Sequence, residues 1–161
     1  MDKERLALNT KGITLFLLVS LVCVFADQLT KHVARLCLDQ SSHISFIPHV
    51  LSFTLVKNPG AAFGLGQGMT WLFVAFALVL CLGALWYVAT HPDLKKGLIF
   101  VLALIAGGGI GNGIDRVIAG VVTDFIKTDF IRFPVFNLAD IFVCVGIFFL
   151  MLAIFRMEEG E

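Results

Sequence analysis

Charges are missing from this chain in four places, and the gaps have the dimensions of membrane-crossing helices. Uncharged runs of 15 residues between Lys11 and Asp27, 35 between Lys57 and Asp93, 18 between Lys96 and Asp115, and 15 between Asp140 and Arg156 divide the sequence. A helix needs about 20 residues to cross roughly 30 Å of hydrocarbon. The longest gap holds one helix plus a flanking loop, which Pro59, Gly60, Gly64, Gly66 and Gly68 place at its start. The expected fold is therefore an all-α integral membrane protein with helices near 12–32, 68–89, 97–115 and 138–156, forming one domain over residues 1–161. The two shorter gaps reach only about 22 Å at helical rise, so their helices must continue through a bounding charge. Asp27 and Asp140 are thereby drawn toward or into the bilayer.

Composition closes off the alternatives. With 58% hydrophobic and 15% charged residues and a mean hydropathy of +0.93, the chain has more apolar surface than a soluble core of this size can hide. The same apolar content excludes disorder. Twelve basic side chains balance twelve acidic ones, without the basic excess that nucleic-acid binding requires. Cys23, Cys81 and Cys144 lie in apolar spans and Cys37 in a loop, and the four histidines have no HExxH or CxxC spacing, so neither disulfides, a metal nor another cofactor is expected. The first span has a competing reading as a cleaved leader, because Lys3, Arg5 and Lys11 precede an apolar stretch ending Val24-Phe25-Ala26. The polar DQLTK at 27–31 speaks against it.

Four spans put both termini on one side and the links 32–67 and 116–137 on the other. Six Lys and Arg fall on each side, but those beside the termini are concentrated in short segments, which orients the termini to the cytoplasm. In the long outer link, Ile44 to Val56 is rich in β-branched and aromatic residues and contains a proline, which predicts a small β element on the outer leaflet.

The polar groups drawn into the membrane fall on the same side: Asp27 closes helix 1, Asn58 precedes helix 2, Asn112, Asp115 and Arg116 close helix 3, and Asn137 and Asp140 open helix 4. Such residues cost about 2.5–3.5 kcal/mol each at the centre of a span, so a one-sided cluster of them points to function. Asn112, Asp115 and Arg116 stand at i, i+3 and i+4, which predicts a shared face with Asp115 held by Arg116. The glycines at 107, 108, 109, 111 and 113 fit no nucleotide-binding pattern and read as close helix packing.

No GxSxG is present and no cysteine is partnered by a histidine, so carboxylates are the remaining catalytic groups. Two close carboxylates do not both ionise easily, and one keeps a proton while the other stays basic. Of Asp27, Asp115, Asp124, Asp129 and Asp140, the leading pair is Asp124, which closes VVTD after helix 3, with Asp140 at the start of helix 4. Spacing alone leaves other pairings open. Asp129, between Thr128 and Phe130, reads as a solvated loop residue.

The motifs DQLTK (27–31), NPGAAFG (58–64), GGIGNGIDR (108–116), VVTDF (121–125) and FNLAD (136–140) together resemble the lipoprotein signal peptidases, or signal peptidase II. The resemblance covers nearly the whole chain, and five motifs in order are far more specific than any one. It implies an intramembrane aspartyl peptidase of the bacterial cytoplasmic membrane, cutting diacylglyceryl-modified prolipoproteins on the amino side of the lipidated cysteine. It places the catalytic pair on Asp124 and Asp140. Asn58, Asn112, Arg116 and Asn137 match positions that line or support the site, and Asp27 a structural or substrate-adjacent one. It also implies a small β cradle with an interfacial helix over the site, contact with membrane lipid, and inhibition by globomycin. Phe63 and Phe73 are candidates to line the lipid side, with packing as their simpler role.

Two rivals remain at this stage. A small proton-coupled transporter subunit would want polar residues continuing along the helices, and helices 2 and 4 show none. A non-enzymatic assembly subunit leaves the one-sided cluster unexplained.

Overall fold

The computed structural model describes residues 8–60 and 65–158, with the side chains of the last two left aside. Four long helices, α1 (Thr10–Cys37), α2 (Thr70–Thr90), α3 (Lys96–Ala119) and α4 (Leu138–Glu158), alternate with three strands, β1 (Ile44–Ile47), β2 (Leu51–Asn58) and β3 (Val122–Thr128). All four helices are long and apolar enough to cross a membrane. Each helix overlaps one of the sequence-predicted spans, but α1 runs on to Cys37 and α3 to Ala119, so Asp27, Lys31, Asn112, Asp115 and Arg116 are helical residues. Cys37 is consequently the last residue of α1 and not part of a loop. The helix also passes unbroken through residues 24–26 and carries Asp27 into the protein interior.

Local chemistry sets the helix ends. The Asn9 side chain caps α1 by accepting from Gly12 N at 2.8 Å, and its amide nitrogen donates to His91 O at 3.1 Å, tying the start of α1 to the end of α2. At the far end of α3, Gly120 takes φ 73° and donates its N–H to Arg116 O at 3.0 Å, a left-handed cap that suits glycine. That cap turns the chain directly into β3.

α3 is the central helix and packs against the other three. Its glycines explain how. A Cβ at Gly107 would stand 2.9 Å from Ser20 O, one at Gly108 2.5 Å from Ala139 O, and one at Gly111 2.6 Å from an Asp27 carboxylate oxygen. Gly113 faces open space, so close packing accounts for part of the glycine run only. At the end of the bundle near Asn9, Phe16, Val88, Ile99, Ala103 and Ala106 form the apolar core. α2 and α4 turn Leu72, Phe76, Val79, Phe148, Phe149 and Ile154 outward, a lipid-facing surface no water-soluble bundle would present. Trp71 and Trp86, both exposed, mark the two ends of α2 as aromatic interface anchors.

The strands form an antiparallel sheet in the order β1-β2-β3. The expected β element over 44–56 is present as β1 and most of β2. β3 was not anticipated, and it pairs with β2 so that Val56 lies opposite Asp124 and Lys57 opposite Thr123. Phe46, Phe53 and Phe125 stack along the sheet at 5.3 and 6.5 Å between ring centroids. Phe136 exchanges backbone hydrogen bonds with Ile126 at 2.8 and 3.0 Å, which brings the chain entering α4 back against β3. Part of the expected interfacial segment, with Phe63, lies outside the described residues. After it the chain turns through Gly66 and Gly68, both at positive φ.

Candidate active site

The start of α4 is built by a reciprocal cap. Asn137 Oδ1 accepts from Asp140 N at 3.0 Å, and Asp140 Oδ2 accepts from Asn137 N at 3.1 Å, the capping-box arrangement with Asn137 at the cap and Asp140 three residues on. One Asp140 oxygen is thereby committed to the helix terminus. The other, Oδ1, accepts from Asn112 Nδ2 at 2.8 Å.

Asp124 arrives from β3 and is only 2% exposed. Its Oδ1 accepts from Asn137 Nδ2 at 2.7 Å and its Oδ2 from Asn58 Nδ2 at 2.9 Å. Asn137, fully buried, thus touches both carboxylates, Asp124 through its side-chain amide and Asp140 through its backbone N–H. Burial pushes the Asp124 carboxyl up to about 6, with the Asp140 charge adding to the rise, while the Asn58 and Asn137 hydrogen bonds and the Lys31 charge oppose it.

Behind the two carboxylates lies a buried charge cluster. Lys31, with no solvent exposure, donates to Asn112 Oδ1 at 2.8 Å and pairs with Asp27 at 2.8 Å and Asp115 at 3.5 Å. Asn112 Oδ1 also accepts from Asn137 Nδ2 at 3.0 Å. Two donors on that oxygen fix the amide orientation, so Nδ2 must face Asp140.

The two flanking carboxylates do parallel jobs. Asp27 Oδ1 accepts from Ala139 N at 3.0 Å, and Asp115 Oδ2 accepts from Thr123 N at 2.9 Å. Each pins the backbone one residue before Asp140 or Asp124. Every buried side-chain nitrogen and oxygen among the described residues has a hydrogen-bond partner.

Arg116 serves the loop side. Its Nη2 donates to Gly60 O at 2.9 Å, and its guanidinium carbon stands 4.9 Å above the Phe73 ring. Phe73 is therefore a packing partner of Arg116. The predicted Asp115–Arg116 pair is not formed: neighbouring helical residues point in different directions, and Asp115 finds Lys31 and, at 3.7 Å, Arg35 across the α1–α3 interface. Asp129 is likewise no free loop residue, since it accepts from Ser52 Oγ at 2.9 Å and its side chain is 17% exposed.

The eight residues singled out by sequence thus gather at one end of the bundle. Asn58, Asn112, Asp124, Asn137 and Asp140 form one hydrogen-bonded group, Asp27 and Asp115 stand behind it, and Arg116 ties it to the loop after β2.

A family model described as signal peptidase (SPase) II matches residues 19–156. The chain belongs to the signal peptidase II family. The lipoprotein signal peptidases of Streptococcus pyogenes serotypes M6 and M1 are each 38% identical to it over 147 residues, 90% of this chain and 95% of theirs. A solved structure described as a bacterial membrane enzyme superposes with a TM-score of 0.84 at 27% identity, covering 91% of this chain and 90% of that one. A second, with the same description, gives a TM-score of 0.78 at 28% identity over 86% and 91%.

In this signal peptidase II member, sequence reasoning missed Lys31, Gln28 and Thr123. Gln28 Nε2 donates to Gly111 O at 3.0 Å and to Asp115 at 3.2 Å, and Thr123 Oγ1 accepts from Arg35 at 2.8 Å. The available signal was the spacing of Asp27 and Lys31 at i, i+4 in a stretch that helix 1 needed in order to span.

Proposed function

We propose that this peptidase removes the signal peptide from diacylglyceryl-modified prolipoproteins, hydrolysing the bond on the amino side of the lipidated cysteine with Asp124 and Asp140 as an aspartyl dyad. The observation that carries the reading is two carboxylates from different elements held by one buried residue, Asn137, through its side-chain amide and its backbone N–H, at the mouth of a membrane bundle. Asp124, raised to about 6, takes the shared proton. Asp140, fixed by Asn112 and by the helix cap, remains the base.

The chemistry then balances as follows. Asp140 takes a proton from water as the water oxygen bonds to the scissile carbonyl carbon, and Asp124 gives its proton to the carbonyl oxygen. Collapse of the resulting diol breaks the C–N bond. Asp140 passes its proton to the departing amine, and a diol proton returns to Asp124. Asn58, Asn112 and Asn137 hold the carboxylates in place without adding charge of their own.

A peptide bond in hydrocarbon carries unsatisfied polar groups, and acyl chains do not. A dyad at the helix ends accepts the peptide while the lipid chains stay among membrane lipid. We place the protein in the bacterial cytoplasmic membrane, termini inward and dyad outward, a reading supported by the dense basic flanks beside the termini. Globomycin is expected to inhibit it.

Asp124→Asn and Asp140→Asn, assayed by the gel shift of a diacylglyceryl-modified prolipoprotein, should each lower cleavage by at least about a thousandfold while the protein stays folded in the membrane. Retained processing by either variant refutes the dyad. An unlipidated substrate cleaved as well as the lipidated one refutes the substrate assignment.

A further inference from the structure

The side of the bundle that carries the carboxylates also carries six cations, Lys31, Arg35, Lys57, Arg116, Lys127 and Arg132. Outer flanks of membrane proteins are ordinarily poor in Lys and Arg, so six there call for a use. Three are consumed inside the protein. Lys31 sits between Asp27 and Asp115, Arg35 bonds Thr123 and Asp115, and Arg116 holds Gly60 over Phe73.

The remaining three, Lys57, Lys127 and Arg132, border a single cleft of about 810 Å³ whose wall includes Asp124 and Asn58. Among the described residues only Lys127 has a carboxylate within ion-pair distance, Asp129 at 3.9 Å, and that carboxylate already accepts from Ser52. Walled by β2, β3 and the 129–135 loop, the cleft stands outside the four helices.

We infer that this cleft receives the first residues of the mature chain beyond the lipidated cysteine and favours acidic side chains there. The inference rests on the peptidase reading above and adds which substrates are preferred. An apolar signal segment gains nothing from three cations and stays in hydrocarbon. The mature side must leave toward water, and the cleft is a route bordered by three cations that begins at Asp124. Along β3, Lys127 lies three residues beyond Asp124, about 10 Å at strand rise, which matches about three residues of extended substrate. Selection therefore acts within the first few positions after the cut. Asp124 and Asp129 are the acids facing the cleft. The first shares the reaction's proton and the second is engaged by Ser52 and Lys127, which leaves Lys57 and Arg132 as the cations open to a ligand.

The test uses the full-length protein in phosphatidylcholine vesicles with three diacylglyceryl-modified peptides that differ only in the second and third residues after the lipidated cysteine: two acidic, two serine or two lysine. kcat/KM should fall in that order, with about tenfold between acidic and lysine peptides, as two or three exposed ion pairs at a few-fold each would give. High salt should compress the ratio. The combined Lys57→Gln, Lys127→Gln and Arg132→Gln variant should bring it near one. Because the ratio is taken on one enzyme preparation, it does not depend on how much of the variant folds. A wild-type ratio within twofold, or a ratio the triple variant leaves unchanged, overturns the inference. So does a uniform acceleration of all three peptides by added phosphatidylglycerol that the triple variant loses, which would assign the cations to anionic lipid headgroups. Failure of the peptidase reading looks different: no peptide is cut, or cutting survives Asp124→Asn.

Discussion

The two ends of the bundle are built from the same helices on opposite principles. Near Asn9, Phe16 of α1 meets Val88 of α2 and Ile99, Ala103 and Ala106 of α3 in an apolar core. At the other end, α1 and α3 bury Asp27, Lys31 and Asp115, and β3 and the start of α4 add Asp124 and Asn137. Inside a bilayer the apolar end has weak grounds for preferring its own contacts, because lipid tails are as apolar as leucine. The polar end has no such substitute. Each of its groups has a named partner, and removing one leaves another unpaired in a medium that solvates it poorly. Register among α1, α3 and α4 is therefore set by the polar end, and the apolar end fills space.

Lys31→Met is the sharpest way to break that contrast within the supporting cluster. It leaves Asp27 and Asp115 buried without their shared cation, a loss of about 3–5 kcal/mol by analogy with broken buried pairs. It also frees the Asn112 amide from one of the two donors that orient it. Lys31 is fully buried and cannot touch substrate, so in the fraction that folds kcat should drop with KM little changed. Adding Asp27→Asn to Lys31→Met removes one uncompensated charge and should recover part of the stability in a detergent thermal melt. An unchanged melting temperature for Lys31→Met would show that the cluster does not hold the fold.

A smaller effect is read by pH. If the dyad works with one shared proton, ionisation of Asp124 near pH 6 removes the working form. kcat/KM, which reports the free enzyme, should then fall as pH rises through about 6, up to about tenfold per unit above it. The sign is set by burial, which favours the protonated carboxyl. Asn58→Ala takes away a hydrogen bond that favours the ionised form, so the falling limb should move to higher pH. A limb that moves down, or a flat profile, would assign the shared proton elsewhere.

The contrast between the two ends also separates what could be read from the sequence from what could not. The four helices were legible because hydrocarbon excludes charge, and each charge-free run overlaps one of them. The polar end was legible as a location, since Asp27, Asn112, Asp115, Asn137 and Asp140 all sit at span ends on one side. Its pairings were not. Asp115 looked committed to Arg116 in sequence, yet it meets Lys31 and Arg35 from α1, because partner choice depends on which helix faces which. β3 was hidden for a related reason: VVTDFIK carries two charges in seven residues and becomes a strand by pairing with β2, 64 to 77 positions earlier. A resemblance supplied Asp124 and Asp140 as a pair, and spacing alone had only made them the leading candidates.

The smallest expected effect is at the apolar end, and it completes the contrast. Ile99→Val deletes one methylene from a side chain that is 2% exposed, whereas Asp27→Asn changes no heavy-atom count at all. In a water-soluble core the first would cost about 0.5–1.5 kcal/mol. Here lipid can compete for the same contacts, so a loss below about 1 kcal/mol and activity within about twofold are expected. Asp27→Asn should cost more, because Lys31 loses its 2.8 Å partner and the amide of Ala139, which enters α4 just ahead of Asp140, loses a charged acceptor. Melting both variants in the same detergent decides the matter. If Ile99→Val proves the more damaging, apolar packing sets the register of the bundle, and the buried charges serve only the chemistry at its mouth.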